Sequence, residues 1–485
     1  MARPSAAAGN PFAPRDYGRL ETLSPRVHLW RNIVNSSVFV GERGIAVFDT
    51  QVNHALARRL RAHLERTFAK PILYAVNTHY HWDHTNGNAV FKEVGATIVA
   101  SRRTAVAMVE RAPRQKGFLA SRGFDLGPDP LQPDVYAEDL ARIDLGGLTI
   151  ELVHGLDAET ADPTIAWCAA ERVAVAGDTV MTGSFPIFGQ PSQREGLEDA
   201  GWLAALDQLR AFKPEAILPG HGPVARDAEM QLLERICRYF LDEVAKHRAA
   251  GRDLAETMRV MEDEMPAWLT RIPVVWGTPR YAILRAWAGL ADLGQPGWQH
   301  VKPSAIPRDA AALTRAPRGD AAAWREAIAQ VTEGGDVAGA VSLAEAACAA
   351  HPGSPELLTT LAATLIAASR GVESVLEKGD CFDAARAALD AALRIDPGYG
   401  PALLQLGQFF TMMAFRNGDD PRHGESLLEK ASADPRLSRR QRAEVAFYRG
   451  IAARARGDEL DAKRRFGEAL AADAGYHPAM LATMG

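Results

Sequence analysis

The sequence predicts a layered α/β domain followed by an all-α region, and three observations carry that reading. Up to Pro223, short apolar runs alternate with amphipathic stretches, the pattern of strands and helices packed in layers. From Asp227 the apolar residues fall at helical spacing instead. From Ala321 the chain becomes rich in alanine and leucine and shows internal similarity.

The elements follow in order. MARPSAAAGNPFAPRDYG opens the chain with prolines and no apolar h-region, so residues 1–19 read as a flexible N-terminus and not as a signal peptide. Residues 37–40 and 45–48 flank the turn GERG, a hairpin signature. Residues 54–68 read as a helix, because Leu56, Leu60 and Leu64 recur four apart. Residues 72–76 form a short buried strand that delivers the segment VNTHYHWDHTNGN. Further strands are expected over 97–100, 149–153, 164–168, 173–176 and 217–218.

Beyond Pro223, Leu233, Ile236, Phe240 and Val244 share one helix face, and Gly251 suits the stop. More helix is expected over 253–261 and 281–293, and the proline-broken stretch 302–320 reads as a linker. In the last region, Ala340/Ala344/Ala347, Ala385/Leu389/Ala392 and Ala462/Phe466/Ala469 repeat one spacing, with a weaker copy at Gly424/Leu428/Ala431. Gly407 and Gly450 fall where the first helix of a pair needs a small residue. These units resemble tetratricopeptide repeats. Their last alanines lie 45, 39 and 38 residues apart (347 to 392, 392 to 431, 431 to 469), longer than that family's ~34-residue period. The resulting division is 1–19, an α/β domain over 20–225, a helical domain over 226–301, the linker 302–320 and repeats over 321–485.

Composition narrows the function classes. A chain of 485 residues exceeds one ordinary domain. A net charge of −5, with both signs spread along the chain, argues against nucleic-acid and membrane-surface partners. No apolar run approaches the ~20 residues of a membrane span. Cys168, Cys237, Cys348 and Cys381 are scattered, which fits a reducing, cytoplasmic compartment and buried thiols.

The chemistry concentrates at His79, His81, Asp83 and His84. Alternate residues of an extended segment point the same way, so His79 and His81 can share one ion. Asp83 and His84, where the loop turns, can reach a second. Imidazole nitrogen and carboxylate oxygen suit zinc. Further ligands must come from other strand ends, and VAVAGDTV offers Asp178 while ILPGHGPV offers His221.

T-H-x-H-x-D-H with a later G-D and P-G-H-G resembles the metallo-β-lactamase superfamily over roughly residues 20 to 225. The resemblance implies an αβ/βα sandwich, two divalent metal ions (zinc is expected) and hydrolysis of a small-molecule substrate. The commonest superfamily pattern has a histidine nineteen residues before the strand-end aspartate. Here that position is Glu159 (178 − 19), with His154 five residues earlier, and either can be the third ligand of the His79/His81 ion. In the remaining assignment Asp83, His84 and His221 hold the second ion and Asp178 bridges. The resemblance implies that the ions would supply an activated hydroxide for an ester-type bond, with Asp83 aiming it as a catalytic group.

Glu159 and the helical region together resemble the alkylsulfatase-type branch, which implies an alkyl sulfate ester as substrate and a homodimer formed by the helical domain. Asp178 stands where that branch has a second glutamate, and Trp276 where it has a tyrosine. Arg194 is a candidate anion contact. Lactones, thioesters and β-lactams are alternative substrates. A different class of reading makes the repeats a protein-binding module and the metal domain a vestige.

Overall fold

Strand periodicity sorts the apolar side chains of the N-terminal half into opposite faces. On one strand Ala46 and Phe48 point into one core, and Ile45 and Val47 into another. The structure is a computed structural model that describes residues 18–110, 130–188, 201–275, 277–291, 306–317, 319–372, 375–417 and 420–483. Arg194, Trp276 and nearly all of the N-terminal segment 1–19 lie outside the described residues.

Two sheets face each other. The first holds β1 (Arg19–Ser24), β2 (Val27–Arg31), β3 (Ser36–Val40), β4 (Ile45–Phe48), β5 (Ile72–Val76), β6 (Thr97–Ala100) and β7 (Val135–Tyr136), in that spatial order. Its first four strands are antiparallel neighbours, and β4 through β7 run parallel. The second sheet, in the order β12-β11-β10-β9-β8, holds β8 (Arg142–Asp144), β9 (Thr149–His154), β10 (Thr164–Cys168), β11 (Val173–Met181) and β12 (Ala216–His221). Only β11 and β12 are parallel within it. Phe39, Phe48, Val76 and Val99 meet Ile143, Ile150, Val175 and Leu218 between the sheets.

Helices cover the outer faces. Leu60 and Leu64 of α1 (His54–Phe68) and Phe91 of α3 (Asn88–Lys92) pack on the first sheet. The short α2 (Trp82–Thr85) lies between them in the chain, and α4 (Arg102–Glu110) follows β6. On the second sheet, Trp202, Leu206 and Leu209 of the helix Gly201–Ala211 join Phe240 of Asp227–Ala249 and Ile283 of Pro279–Ala291 in one continuous core. The helical region after Pro223 therefore shares its core with the sandwich. Gly251 adopts φ +78° after Ala249, as expected for a helix stop, and Asp253 caps the next helix, Leu254–Asp263.

The expected linker departs from its reading. Residues 310–315 form a short helix, and Ala312 is buried against Trp324 and Ala340. Small apolar residues among its prolines give this stretch something to bury, so its described part packs as the lead-in to the helical region.

From Ala321 onward every described element is helical. Ala340, Ala344, Ala347, Ala392, Ala462, Phe466 and Ala469 are all fully buried. A Cβ on Gly407 would stand 2.6 Å from Leu428 Cγ, and one on Gly450 would collide with the Phe466 ring. Small residues thus set how closely these helices approach. Among the described residues no helix is long and apolar enough to cross a membrane.

Candidate metal centre

The parallel strands β4, β5 and β6 and the parallel pair β11 and β12 end at one shared edge of the sandwich, and backbone hydrogen bonds tie the two sheets together there. Asn35 N donates to Gly220 O at 2.8 Å, and Thr164 N donates to Thr78 O at 2.7 Å. β5 releases the chain at Val76 into the loop that carries His79, His81, Asp83 and His84.

Asp178 and His221 arrive from the second sheet, inside their strands and not just beyond them as the sequence suggested. His221 pairs with Met181 in the β11–β12 ladder, and Asp178 sits in β11 where the register shifts between Gly177 and Met181. The register shifts at Gly177, which has φ +50°, and a Cβ there would press on Thr78 Oγ1 at 2.5 Å. This irregularity re-aims the next residue, Asp178. A Cβ on Gly220 would strike the Asp178 carboxylate itself. Gly220 of P-G-H-G is therefore clearance for the aspartate, and Gly177 of G-D is clearance for Thr78.

Seven side chains meet in two groups. His79, His81, Glu159 and Asp178 place one ligand atom each within 4.8 Å of one another, and so do Asp83, His84 and His221. His79 Nε2 lies 3.0 Å from His81 Nδ1, 3.9 Å from Glu159 Oε2 and 3.9 Å from Asp178 Oδ2. His81 Nδ1 lies 3.3 Å from Glu159 Oε2. In the second group, His221 Nε2 is 3.3 Å from Asp83 Oδ2, and His84 Nε2 is 3.6 Å from the same atom. Asp178 stands between the groups, with Oδ1 3.4 Å from His84 Nε2 and Oδ2 3.4 Å from His221 Nε2.

The chemistry of this donor set fits bound cations. His84 Nε2, Glu159 Oε2 and Asp178 Oδ1 are buried without a hydrogen-bond partner. Orphaned buried polar atoms are costly, and here they converge on common points. Burial holds the His81 imidazole down at about 4, and holds His79 well below its usual value with help from His84 and His81. Burial pulls His221 down too, but the Asp178 and Asp83 carboxylates overcome it and raise it to about 10. His84 is raised well above its usual value by Asp178, Asp49 and Asp83 in the same way, against burial. Burial and then Asp178 push Glu159 well up. Asp178 and Asp83 stay ionised against burial because His221 and His84 face them.

The outer nitrogens of two imidazoles are anchored. His84 Nδ1 pairs with Asp49 Oδ2 at 2.8 Å, and His221 Nδ1 donates to the Ile33 carbonyl at 2.8 Å. That leaves both Nε2 atoms directed at the site. Asp49 also accepts from Thr78 N at 2.8 Å and Thr78 Oγ1 at 2.9 Å. The sequence reading missed Asp49. Its only signal was an aspartate at the end of a buried apolar strand, in VFDTQ, where φ is +67°.

Glu159 is buried in the first group, whereas His154 ends β9 with its side chain exposed and belongs to neither group. A strand register that turns Thr164 toward Thr78 carries the tip of the connecting loop inward and leaves residue 154 outside. Tyr80 and Trp82 point away from the cluster, Tyr80 onto Ala107 and Met108 and Trp82 against Val34 and Val52.

Residues 29–221 match the sequence model of the metallo-beta-lactamase superfamily. A linear primary-alkylsulfatase of Pseudomonas sp. (strain ATCC 19151) is 21% identical over 284 residues, which cover 51% of this chain and 53% of that protein. The chain thus spans about half the length of the curated relative it matches. Among solved structures, a double mutant of the sec-alkyl sulfatase PisA1 aligns with a TM-score of 0.53 at 18% identity, covering 77% of this chain and 66% of that one. The sandwich and its helical continuation share the fold of that protein.

Proposed function

We propose that the chain is a dinuclear metal-dependent hydrolase of ester-type bonds, and specifically of the sulfate ester of an alkyl chain. The observation that carries the metal reading is the convergence of seven ligand-type side chains in two groups that share Asp178. The substrate class is supported by the alkylsulfatase and the sec-alkyl sulfatase to which the chain is similar. In this reading His79, His81 and Glu159 hold one ion, Asp83, His84 and His221 the other, and Asp178 both. Nitrogen and oxygen donors suit zinc, and the three carboxylates widen tolerance toward harder divalent metals.

When bound, the ions supply Lewis acidity and a water acidic enough to serve as nucleophile near neutral pH. The protein does the rest. Asp83 is the member with the greatest side-chain exposure among those measured, at 15%, so it borders the mouth of the site. Its ionised carboxylate accepts a hydrogen bond from the nucleophile and aims it at the ester. Asp49 and the Ile33 carbonyl fix the tautomers of His84 and His221. A homodimer built through the helical region and residence in the cytoplasm complete the proposal.

The test is a metal count and a substrate panel of alkyl sulfates, lactones, thioesters, phosphodiesters and β-lactams. Alkyl sulfates should turn over fastest, and His81→Ala should abolish turnover. Metal-loaded protein that hydrolyses none of the panel overturns the enzymatic reading. Preference for a lactone or thioester overturns only the substrate.

A further inference from the structure

The helix α4 takes no part in the ligand set, yet it grips both sides of the first metal group. Ser101, just before it, and Thr104 in its first turn are buried. The Ser101 and Thr104 hydroxyls lie 2.9 Å apart, and Thr104 N donates to Ser101 Oγ at 2.9 Å, which caps the helix. Both hydroxyls also reach the Asp162 carbonyl, Thr104 Oγ1 at 3.2 Å and Ser101 Oγ at 3.4 Å. Arg103 Nη1 donates to the Ala161 carbonyl at 3.1 Å and faces Asp157 Oδ1 at 3.6 Å. Four contacts from Ser101, Arg103 and Thr104 thus hold the strand-end loop that presents Glu159.

The same helix touches the other ligand segment. Ala107 and Met108, one turn further on, bury Tyr80. The Tyr80 ring stands edge-on to His81 with centroids 4.7 Å apart. Nothing comparable links α4 to His84 or His221 among the described contacts. The loop at Glu159 is also held at its ends, by Gly155 N donating to Pro163 O and Thr164 N donating to Thr78 O, and by Leu156 N donating to Gln208 Oε1 at 3.0 Å.

We infer that α4 is a clamp that sets the geometry of the His79/His81/Glu159 position alone, and that Thr104 is a positioning residue acting through the Asp162 carbonyl. The inference rests on the two-metal reading above. Loosening the clamp lets the Glu159 carboxylate drift from the two imidazoles while the Asp83/His84/His221 position keeps its own anchors.

The experiment compares wild type, Thr104→Val and Thr104→Ser in the full chain. Cobalt(II) is titrated into metal-free protein, the two binding steps are followed by visible absorption, and each is ranked by chelator competition. Valine keeps the buried shape and removes the hydroxyl, while serine restores it. Thr104→Val should weaken one cobalt step by ~10–100-fold, the range for lost outer-shell partners. The other step should stay within about twofold of wild type on the same scale. Thr104→Ser should recover the weakened step. Glu159→Ala identifies which step belongs to the first position, because it should eliminate that step. Equal weakening of both steps in Thr104→Val, unchanged binding, or failure of serine to rescue would each overturn the clamp. Wild-type protein that takes up no cobalt would instead refute the two-metal reading beneath it.

Discussion

The edge of the sandwich and the helical C-terminal region solve opposite problems with buried residues. At the edge, His84, Glu159 and Asp178 bury polar atoms that lack a hydrogen-bond partner, and the cost is borne so that donors converge. In the helical region, Ala340, Leu389 and Phe466 each bury apolar atoms in a local helix-helix core, and Gly407 and Gly450 let helices close the gap. One region is organised around what a cation would supply. The other is complete by itself. Function and stability should therefore separate on mutation.

The strongest break should come from Asp178→Ala. Turnover should fall by more than about 100-fold, beyond what an outer-shell change costs, while circular dichroism of the helical region stays unchanged. The converse is Phe466→Ala. Emptying that fully buried site should cost ~3–5 kcal/mol of stability in denaturant titration, with turnover at 25 °C kept wherever the protein remains folded. A third pair works inside the metal edge. Glu159→Ala should release one metal per chain by elemental analysis, and His154→Ala should release none, since only Glu159 lies in the cluster.

The smallest effect is in protons. His221 titrates at about 10 in the metal-free fold because Asp178 and Asp83 outweigh burial. A raised value adds stability that is complete below the ordinary 6.5 and is lost as pH climbs through about 10. Thermal scans of chelator-treated protein should show that decline across this window. Metal-loaded protein should not show it, because a cation replaces the proton. For the same reason metal uptake at pH 7 should release protons, detectable by calorimetry in buffers of different ionisation enthalpy.

Legibility in the sequence followed the range of each signal. His79, His81, Asp83 and His84 sit in one short segment, where alternation alone suggests shared ligands. Gly177 and Gly220 directly precede Asp178 and His221 in the chain, so G-D and P-G-H-G could be read as well. Residues 45–48, 54–68 and 72–76 were legible from their apolar spacing. β1 and β2 were not, because RLETLS and VHLWR meet across a tight turn with no glycine to mark it. Asp49 and Thr104 escaped for a different reason: each acts on a residue at least 35 positions away, His84 and Glu159 or its loop, and no local pattern records that distance. That Glu159 and not His154 lies in the cluster is likewise a matter of which residue the loop carries inward, and so of sheet register.

The central claim is that two cations share Asp178. Elemental analysis of protein purified without added chelator, set beside Asp178→Ala prepared in parallel, tests it most directly. The account predicts two divalent metals per chain in the first and a clear loss from both positions in the second. Metal-free wild type that stays empty when zinc, manganese or iron is supplied, or an Asp178→Ala protein that still holds two, would contradict it.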